Sequence, residues 1–284
     1  MYKKCFLIAP SGYVKQINID LARKRLKELG FEKIIYKSNI LSKYLSYAGD
    51  SVRRSNEINQ AYSSDTDIIS SIIGGQGAVH LLLNLDYDLI KKSKKIIIGF
   101  SDITILLNTI YQKTKTRCIH GPNLGKENEI DKLSLDILNK VINKENYQVS
   151  FLDKDILRKG VTKGKIVGGN IELLGRSLGT PYEVDTDDKI IFIEDYGIKS
   201  WRIFDILWQL KLAGKFDNIK GVILGHFVDC GENIGDYLLE FFKDFKCPVI
   251  LNQPIGHKEP NFSIPLGEIC IIDTIEKFWE IQFN

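Results

Sequence analysis

The stretch Lys94-Lys95-Ile96-Ile97-Ile98-Gly99-Phe100-Ser101-Asp102-Ile103-Thr104 decides how this chain is read. A β-branched apolar run ends in glycine, a serine follows, and a helical pattern runs from Ile103 to Tyr111. This is a strand, a sharp turn and a helix. Such a turn lifts a serine hydroxyl clear of a sheet while the helix N-terminus aims amides at it. The same pattern also suits a serine that only caps the helix. The segment departs from the G-x-S-x-G elbow, because Ile103 stands where the second glycine belongs. A hydroxyl becomes a nucleophile only with a base and a group that orients the base.

Outward from Ser101, the first half alternates between strands and helices. Cys5 to Ala9 reads as a strand and Asp20 to Leu29 as a helix, with Leu21, Leu26 and Leu29 on one face and Gly30 as its stop. Lys33 to Tyr36 is a second strand, Val52 to Tyr62 a polar helix and Ile68 to Ile73 a third strand. Gly74-Gly75-Gln76-Gly77 then leads into a helix from about Ala78. This alternation argues for a parallel sheet covered by helices on both faces. Ligands of such sheets sit beyond the carboxyl ends of the strands, where Gly74-Gly75 and Ser101 both fall. A polar stretch follows from Gly125 to about Gly160, partly helical over Leu133 to Ile142 but without a strong apolar face. The second half opens with Gly164-Lys165-Ile166-Val167-Gly168-Gly169-Asn170 and continues through strands near 189–193, 219–224 and 248–251, with a last one at Glu268 to Ile272. Its best helix is Trp201 to Ala213, with Phe204, Leu207 and Trp208 on one face and Gly214 as its cap. The domains expected are 1–145, carrying the nucleophile, and 164–284, carrying its partners, with 146–163 as connection.

Bulk properties narrow the function classes. The chain has 284 residues, 44% hydrophobic and 26% charged, with a net charge of +3. Its lysines are interspersed with acids, unlike the one-sided basic face of a nucleic-acid binder. The apolar run after Lys4 is about five residues, shorter than a signal-peptide core of about 7 or more. No run approaches the roughly 18 residues of a membrane span. Five cysteines at wide spacings, with no C-x-x-C, read as free thiols in a reducing cytoplasm.

Other motifs stay open on their own. Gly74-Gly75-Gln76-Gly77 fails the G-x-G-x-x-G fingerprint, since His80 occupies the third glycine position. It reads as an oxyanion hole or as a tight turn that needs positive φ. Glu194 closes the run Lys189 to Ile193, either solvated or holding a histidine in one tautomer. His257 lies in an irregular loop with Pro254, Gly256, Pro260 and Asn261, a setting where functional residues concentrate. His226 with Asp229 and Cys230 lacks a second ligand cluster for a metal. A two-domain protein that only binds a small ligand would share these bulk features. A glutamine-amidotransferase-like enzyme would need a cysteine where Ser101 stands.

Taken together, these segments resemble the LD-carboxypeptidase family of serine peptidases, which includes the microcin-immunity peptidases. The resemblance runs through Ile8-Ala9-Pro10-Ser11-Gly12, Tyr47-Ala48-Gly49-Asp50, Arg53-Arg54 with Asn56, Gly74-Gly75, Ile98 to Thr104, and His120-Gly121-Pro122. It continues through Gly168-Gly169-Asn170, Leu178-Gly179-Thr180-Pro181, Phe192-Ile193-Glu194-Asp195, Gly221 to Gly225, Gly256-His257, and Ile264-Pro265-Leu266-Gly267. It implies an α/β fold: an N-terminal parallel-sheet, flavodoxin-like domain and a smaller C-terminal mixed α/β domain, with the active site at their interface. It implies a Ser101–Glu194–His257 triad, an oxyanion hole from the amides of Gly75 and Asp102, and no metal or cofactor. It further implies a cytoplasmic homodimer that acts on a small peptide rather than on nucleic acid or membrane. The typical substrate is murein tetrapeptide, which loses its terminal D-alanine during cell-wall recycling. Many murein-recycling members carry Arg before the glycine pair and Tyr after it, where this chain has Ile73 and Gln76. The apolar residue at 73 leans toward the immunity branch and its peptidyl-nucleotide substrates. The chain length and the segment from Trp201 to Cys230 lean toward the murein branch, which is the favoured expectation. Arg176 and Arg202 are candidates for binding the substrate carboxylate, a role left unassigned.

Overall fold

Apolar runs of the first half form strands buried along nearly their whole length, as a sheet covered on both faces requires. The computed structural model describes residues 4–283; Met1 to Lys3 and Asn284, at the outer limits of the expected domains, lie outside them. The first half runs β1 (Lys4–Ile8), α1 (Gln16–Glu28), β2 (Lys33–Ile35), α2 (Ser51–Ser63), β3 (Ile68–Ser71), α3 (Tyr87–Ser93), β4 (Ile96–Gly99), α4 (Thr104–Thr114) and β5 (Cys118–His120). These five strands are parallel in the order β2-β1-β3-β4-β5, the flavodoxin-like arrangement. The order reverses between β1 and β3, so the loops after these strands flank the crevice where such folds bind ligands. Ser101 follows β4 at the same end.

The remainder runs α5 (Lys132–Ile142), β6 (Tyr147–Ser150), β7 (Ile156–Arg158), β8 (Val161–Asn170), α6 (Ile171–Arg176), β9 (Lys189–Tyr196), α7 (Ser200–Leu212), β10 (Gly221–Val228), α8 (Ile234–Phe242), β11 (Val249–Ile250), β12 (Ile264–Pro265), β13 (Ile269–Asp273) and β14 (Phe278–Gln282). The second sheet, ordered β6-β14-β13-β8-β9-β10-β11-β7, has four parallel central strands bordered by antiparallel ones. The stretch 146–163, read as connection, instead supplies both outermost strands, β6 and β7. β12 crosses back and pairs antiparallel with β5 of the first sheet.

Several local readings are corrected. Helix α1 starts at Gln16, and its buried face is Ile19, Ala22, Arg25 and Leu26 rather than the leucines at 21 and 29. The segment from Ala78 is a 3-10 helix, Ala78–Asn84, entered from Gly77 at a φ of 97°. Helix α5 does have an apolar face, since Ile137, Leu138, Val141 and Ile142 are buried at i, i+1, i+4, i+5 spacing. In α7 the buried face is Ile203, Ile206, Leu207 and Leu210, while Trp208 stays 41% exposed.

The two sheets share one buried apolar cluster that includes Ile98, Leu106, Ile166 and Phe192. Helix α4, which starts just after Ser101, docks on β8 through Asn108 and Thr104. Asn108 Nδ2 donates to Gly168 O at 2.9 Å while its Oδ1 accepts from Gly168 N at 3.3 Å. Thr104 Oγ1 accepts from Asn170 N at 3.1 Å. Within the first half, Arg54 is almost fully buried and donates to Pro10 O at 2.7 Å and Gly77 O at 2.9 Å. Its guanidinium joins the loop after β1 to the glycine turn after β3.

Removing that clamp leaves Pro10 O without its buried donor and Gly77 O with only the longer bond from His80 N, 3.2 Å. Arg54→Met should therefore lower unfolding free energy by about 3 kcal/mol, read as a reduced urea midpoint. A midpoint unchanged from the parent would contradict the clamp.

Candidate active site

Strand β4 delivers the chain to Ser101 in a left-handed backbone conformation, φ 65°. A residue with a Cβ pays for that conformation and holds it only when its surroundings over-determine it. Here they do. Asn123 brackets the preceding residue, accepting from Phe100 N at 3.4 Å and donating to Phe100 O at 3.3 Å. On the other side, the buried Asp102 carboxylate accepts from Ser11 Oγ at 2.5 Å and from Ala78 N at 2.8 Å. Burial raises the Asp102 carboxyl above its usual range, and these two donors and nearby arginines pull it partly back.

Three expected residues meet. Ser101 Oγ lies 3.0 Å from His257 Nε2, and His257 Nδ1 lies 2.6 Å from Glu194 Oε2. The serine belongs to the first sheet, and the other two belong to the second half. Glu194 is fully buried inside β9, which extends to Tyr196 rather than ending before the glutamate. Burial pulls the His257 imidazole down, but the charge and hydrogen bond of Glu194, with Asp195, outweigh it and the net shift is upward. Burial, then the charge of Glu194, pushes the neighbouring Asp195 up to about 7. The imidazole is flanked by Tyr196, stacked at 5.3 Å between ring centroids, and by Phe100 at 4.8 Å. Behind Phe100 stands His120, which burial pushes down to about 4, so it is neutral at physiological pH.

The glycine turn closes one wall. Gly75 takes a φ of 122°, and a Cβ there would come 2.9 Å from Gly12 N. Only glycine fits that approach. Gly74 lies beside the Ser101 side chain, its O accepting from Gly12 N at 3.2 Å. Gly75, Gly74, Ser101 and His257 line one cleft of about 410 Å³ with Ile73, Phe100, Asn123, Lys126, Asn128 and Tyr196. The Asp102 side chain lies outside this lining, occupied with Ser11 and Ala78.

The His257 loop is fastened to the first half by Glu259. Its carboxylate accepts from Ser134 Oγ at 2.6 Å, from Asp131 N at 3.3 Å and from Lys126 Nζ. This places a negative charge at the N-terminus of α5, where the helix dipole favours it. Ser134 Oγ also accepts from Asn261 N at 2.8 Å, and Asn261 Oδ1 accepts from Gly256 N at 2.8 Å. A Cβ on Gly256 would stand 2.7 Å from Glu194 Oε2, so the glycine lets the loop pass against the carboxylate.

Other sequence candidates lie elsewhere. Arg176 pairs with Glu172 at 2.8 Å on α6, and Arg202 is exposed on α7; neither lines the cleft. His226 is half-buried in β10, its backbone N donating to Ile255 O at 2.8 Å. Among the described residues no group of three His, Cys, Asp or Glu side chains is arranged to hold a metal. The five cysteines are free thiols, four of them buried. No helix among the described residues is long and apolar enough to cross a membrane. Asn123, Tyr196, Ser134 and Glu259 were not anticipated from the sequence. Glu259 offered one signal, its place two residues after His257.

A serine, imidazole and carboxylate in hydrogen-bonded line beside a glycine turn form the constellation of a nucleophilic hydrolase. The chain matches the LD-carboxypeptidase N-terminal domain over residues 6–121 and the LD-carboxypeptidase C-terminal domain over residues 163–272. It belongs to the LD-carboxypeptidase family and is a carboxypeptidase by that membership. It is 29% identical to a probable murein peptide carboxypeptidase of Bacillus subtilis, over 95% of this chain and 89% of that one. It is also 29% identical to the microcin C7 self-immunity protein MccF of Escherichia coli, over 81% of this chain and 78% of that one. Among solved structures, muramoyltetrapeptide carboxypeptidase from Oxalobacter formigenes has the same fold, with a TM-score of 0.89 at 23% identity over 99% of each chain.

The His257 shift has a definite sign. A raised histidine adds stability that is fully present below its unfolded pKa near ~6.5 and is lost as pH rises through the folded value. Titration of the ring protons by NMR should give His257 a pKa above ~6.5, falling in Glu194→Gln. An identical titration in both proteins would contradict the pairing.

Proposed function

We propose that this chain is a serine carboxypeptidase that cleaves the bond between an L-centre and a terminal D-residue. The reading rests on one observation above all: the unbroken line from Ser101 Oγ through the His257 ring to Glu194. In the proposed reaction, Ser101 Oγ bonds to the carbonyl carbon before the terminal residue while its proton passes to His257 Nε2. Glu194 holds the ring and stabilises its cation. The amides of Gly75 and Asp102 receive the oxyanion, each such donor contributing roughly 3 kcal/mol to the transition state. Protonated His257 gives its proton to the leaving amine as the C–N bond breaks, freeing the D-amino acid. Water then adds to the acyl-serine ester, its proton going to His257, and collapse returns the serine hydroxyl and a shortened peptide acid.

The favoured substrate is murein tetrapeptide, cut to tripeptide in cell-wall recycling by a cytoplasmic homodimer. The murein-type relative and its near end-to-end match support this choice. A second reading, a microcin-immunity-type peptidase acting on peptidyl-nucleotides, is favoured by Ile73. Ile73 lines the cleft at the position where many murein-recycling members carry arginine. A cleft of this volume suits a short peptide of either kind.

Incubation with murein tetrapeptide and with a peptidyl-nucleotide, followed by mass spectrometry, should yield tripeptide and free D-alanine from the first. Cleavage of the second alone would transfer the assignment to the immunity branch. Ser101→Ala should still bind the LD-peptide yet lose turnover by about 10⁴-fold or more. Retention of appreciable turnover would remove Ser101 from its role.

A further inference from the structure

A carboxypeptidase must recognise a free carboxylate at the end of its substrate. Neither Arg176 nor Arg202 is available at the cleft, as described above. Among the residues lining the cleft around Ser101, Lys126 is the one Lys or Arg. The loop that carries it is held with unusual completeness. Buried Arg25 of α1 donates to Leu124 O at 2.8 Å, to Lys126 O at 2.7 Å and to Asn128 O at 2.9 Å. Asn18 Nδ2 donates to Gly125 O at 3.0 Å, and Gly125 N donates to Ile72 O at 2.8 Å. Lys126 N donates to Asn123 O at 3.2 Å, which couples the loop to the residue that brackets Phe100. The backbone under Lys126 is therefore held in place by two buried side chains, Arg25 and Asn18, and by backbone bonds to Ile72 and Asn123.

The side chain is fixed as well. Glu259 accepts one of the three ammonium hydrogens, and its other carboxylate oxygen is anchored by Ser134 and the Asp131 amide. Two ammonium donors remain for the cleft. Such a lysine is a pre-positioned cation, so an incoming carboxylate gains a charge-assisted bond without first ordering a flexible arm.

We propose that Lys126, braced by Glu259, is the cation that receives the terminal carboxylate of the substrate. This rests on the carboxypeptidase reading above. Lys126 sets exopeptidase specificity: peptides ending in a free acid are taken, and those continued or capped at that end are not.

The test uses the full chain and two LD-peptides that differ only at the C-terminus, one a free acid and one a carboxamide. The unmodified protein should prefer the acid. Lys126→Met should raise KM for the acid by about 10- to 100-fold, with a smaller change in kcat, and bring the acid-to-amide ratio of kcat/KM toward unity. Lys126→Arg should restore most of the preference. A Lys126→Met protein that keeps the parent's acid-to-amide ratio would overturn the assignment, whatever its absolute activity. Release of no terminal residue from either peptide by the unmodified protein would instead remove the carboxypeptidase reading, and this assignment with it.

Discussion

Two hydrogen bonds carry this structure's chemistry: 3.0 Å from serine to imidazole, which crosses from one half to the other, and 2.6 Å from imidazole to carboxylate within the second half. Neither half holds all three groups. A shift of about 1 Å between the halves would break the line and cost of the order of 10²-fold in rate. Much of the remaining architecture can be understood as preventing that shift. Asn108 locks the helix after Ser101 onto β8, β12 adds a second-half strand to the first sheet, and Glu259 fastens the His257 loop to the start of α5.

The same logic explains the buried charges. A buried ion is costly unless paired or fully hydrogen-bonded, so each retained one calls for a reason. Arg54 and Asp102 both bind the loops after β1 and β3, on either side of the crevice where the strand order reverses. Arg25 binds the loop of Lys126. Glu57, buried beside Arg53, accepts from Ala9 N at 2.8 Å just before the first of these loops. These are polar rivets placed where irregular backbone must keep one shape. They stand at loops because strands and helices satisfy their own amides, whereas loops need side chains to do so.

Strands β1, β3 and β4 were legible because apolar runs buried on both faces leave a continuous signal, whereas β5 and β12 were missed because they are only three and two residues long. The Ser101 turn was legible because a strand, a glycine and a helical pattern abut there. Glu194 and His257 were harder: each is one polar residue in an ordinary context, and only the resemblance across the whole chain joined them. The apolar face of α5 was obscured by interleaved Asp, Asn and Lys residues, although its spacing was present. β6 and β7 were missed because edge strands alternate or are short, and their partners lie far away in sequence. Glu259 and Arg25 were invisible for the same reason, since their partners stand 125 and 99 residues away at Ser134 and Leu124. Long-range polar contacts leave no local period.

Turnover depends on the hydroxyl of one half and the imidazole of the other acting as a single unit. The direct measurement is a double-mutant comparison of kcat for Ser101→Ala, His257→Ala and the combined variant on one LD-peptide. If the two groups form one proton-transfer device, the combined variant loses about as much as either single change. Losses that multiply would show two independent contributions and contradict the shared site.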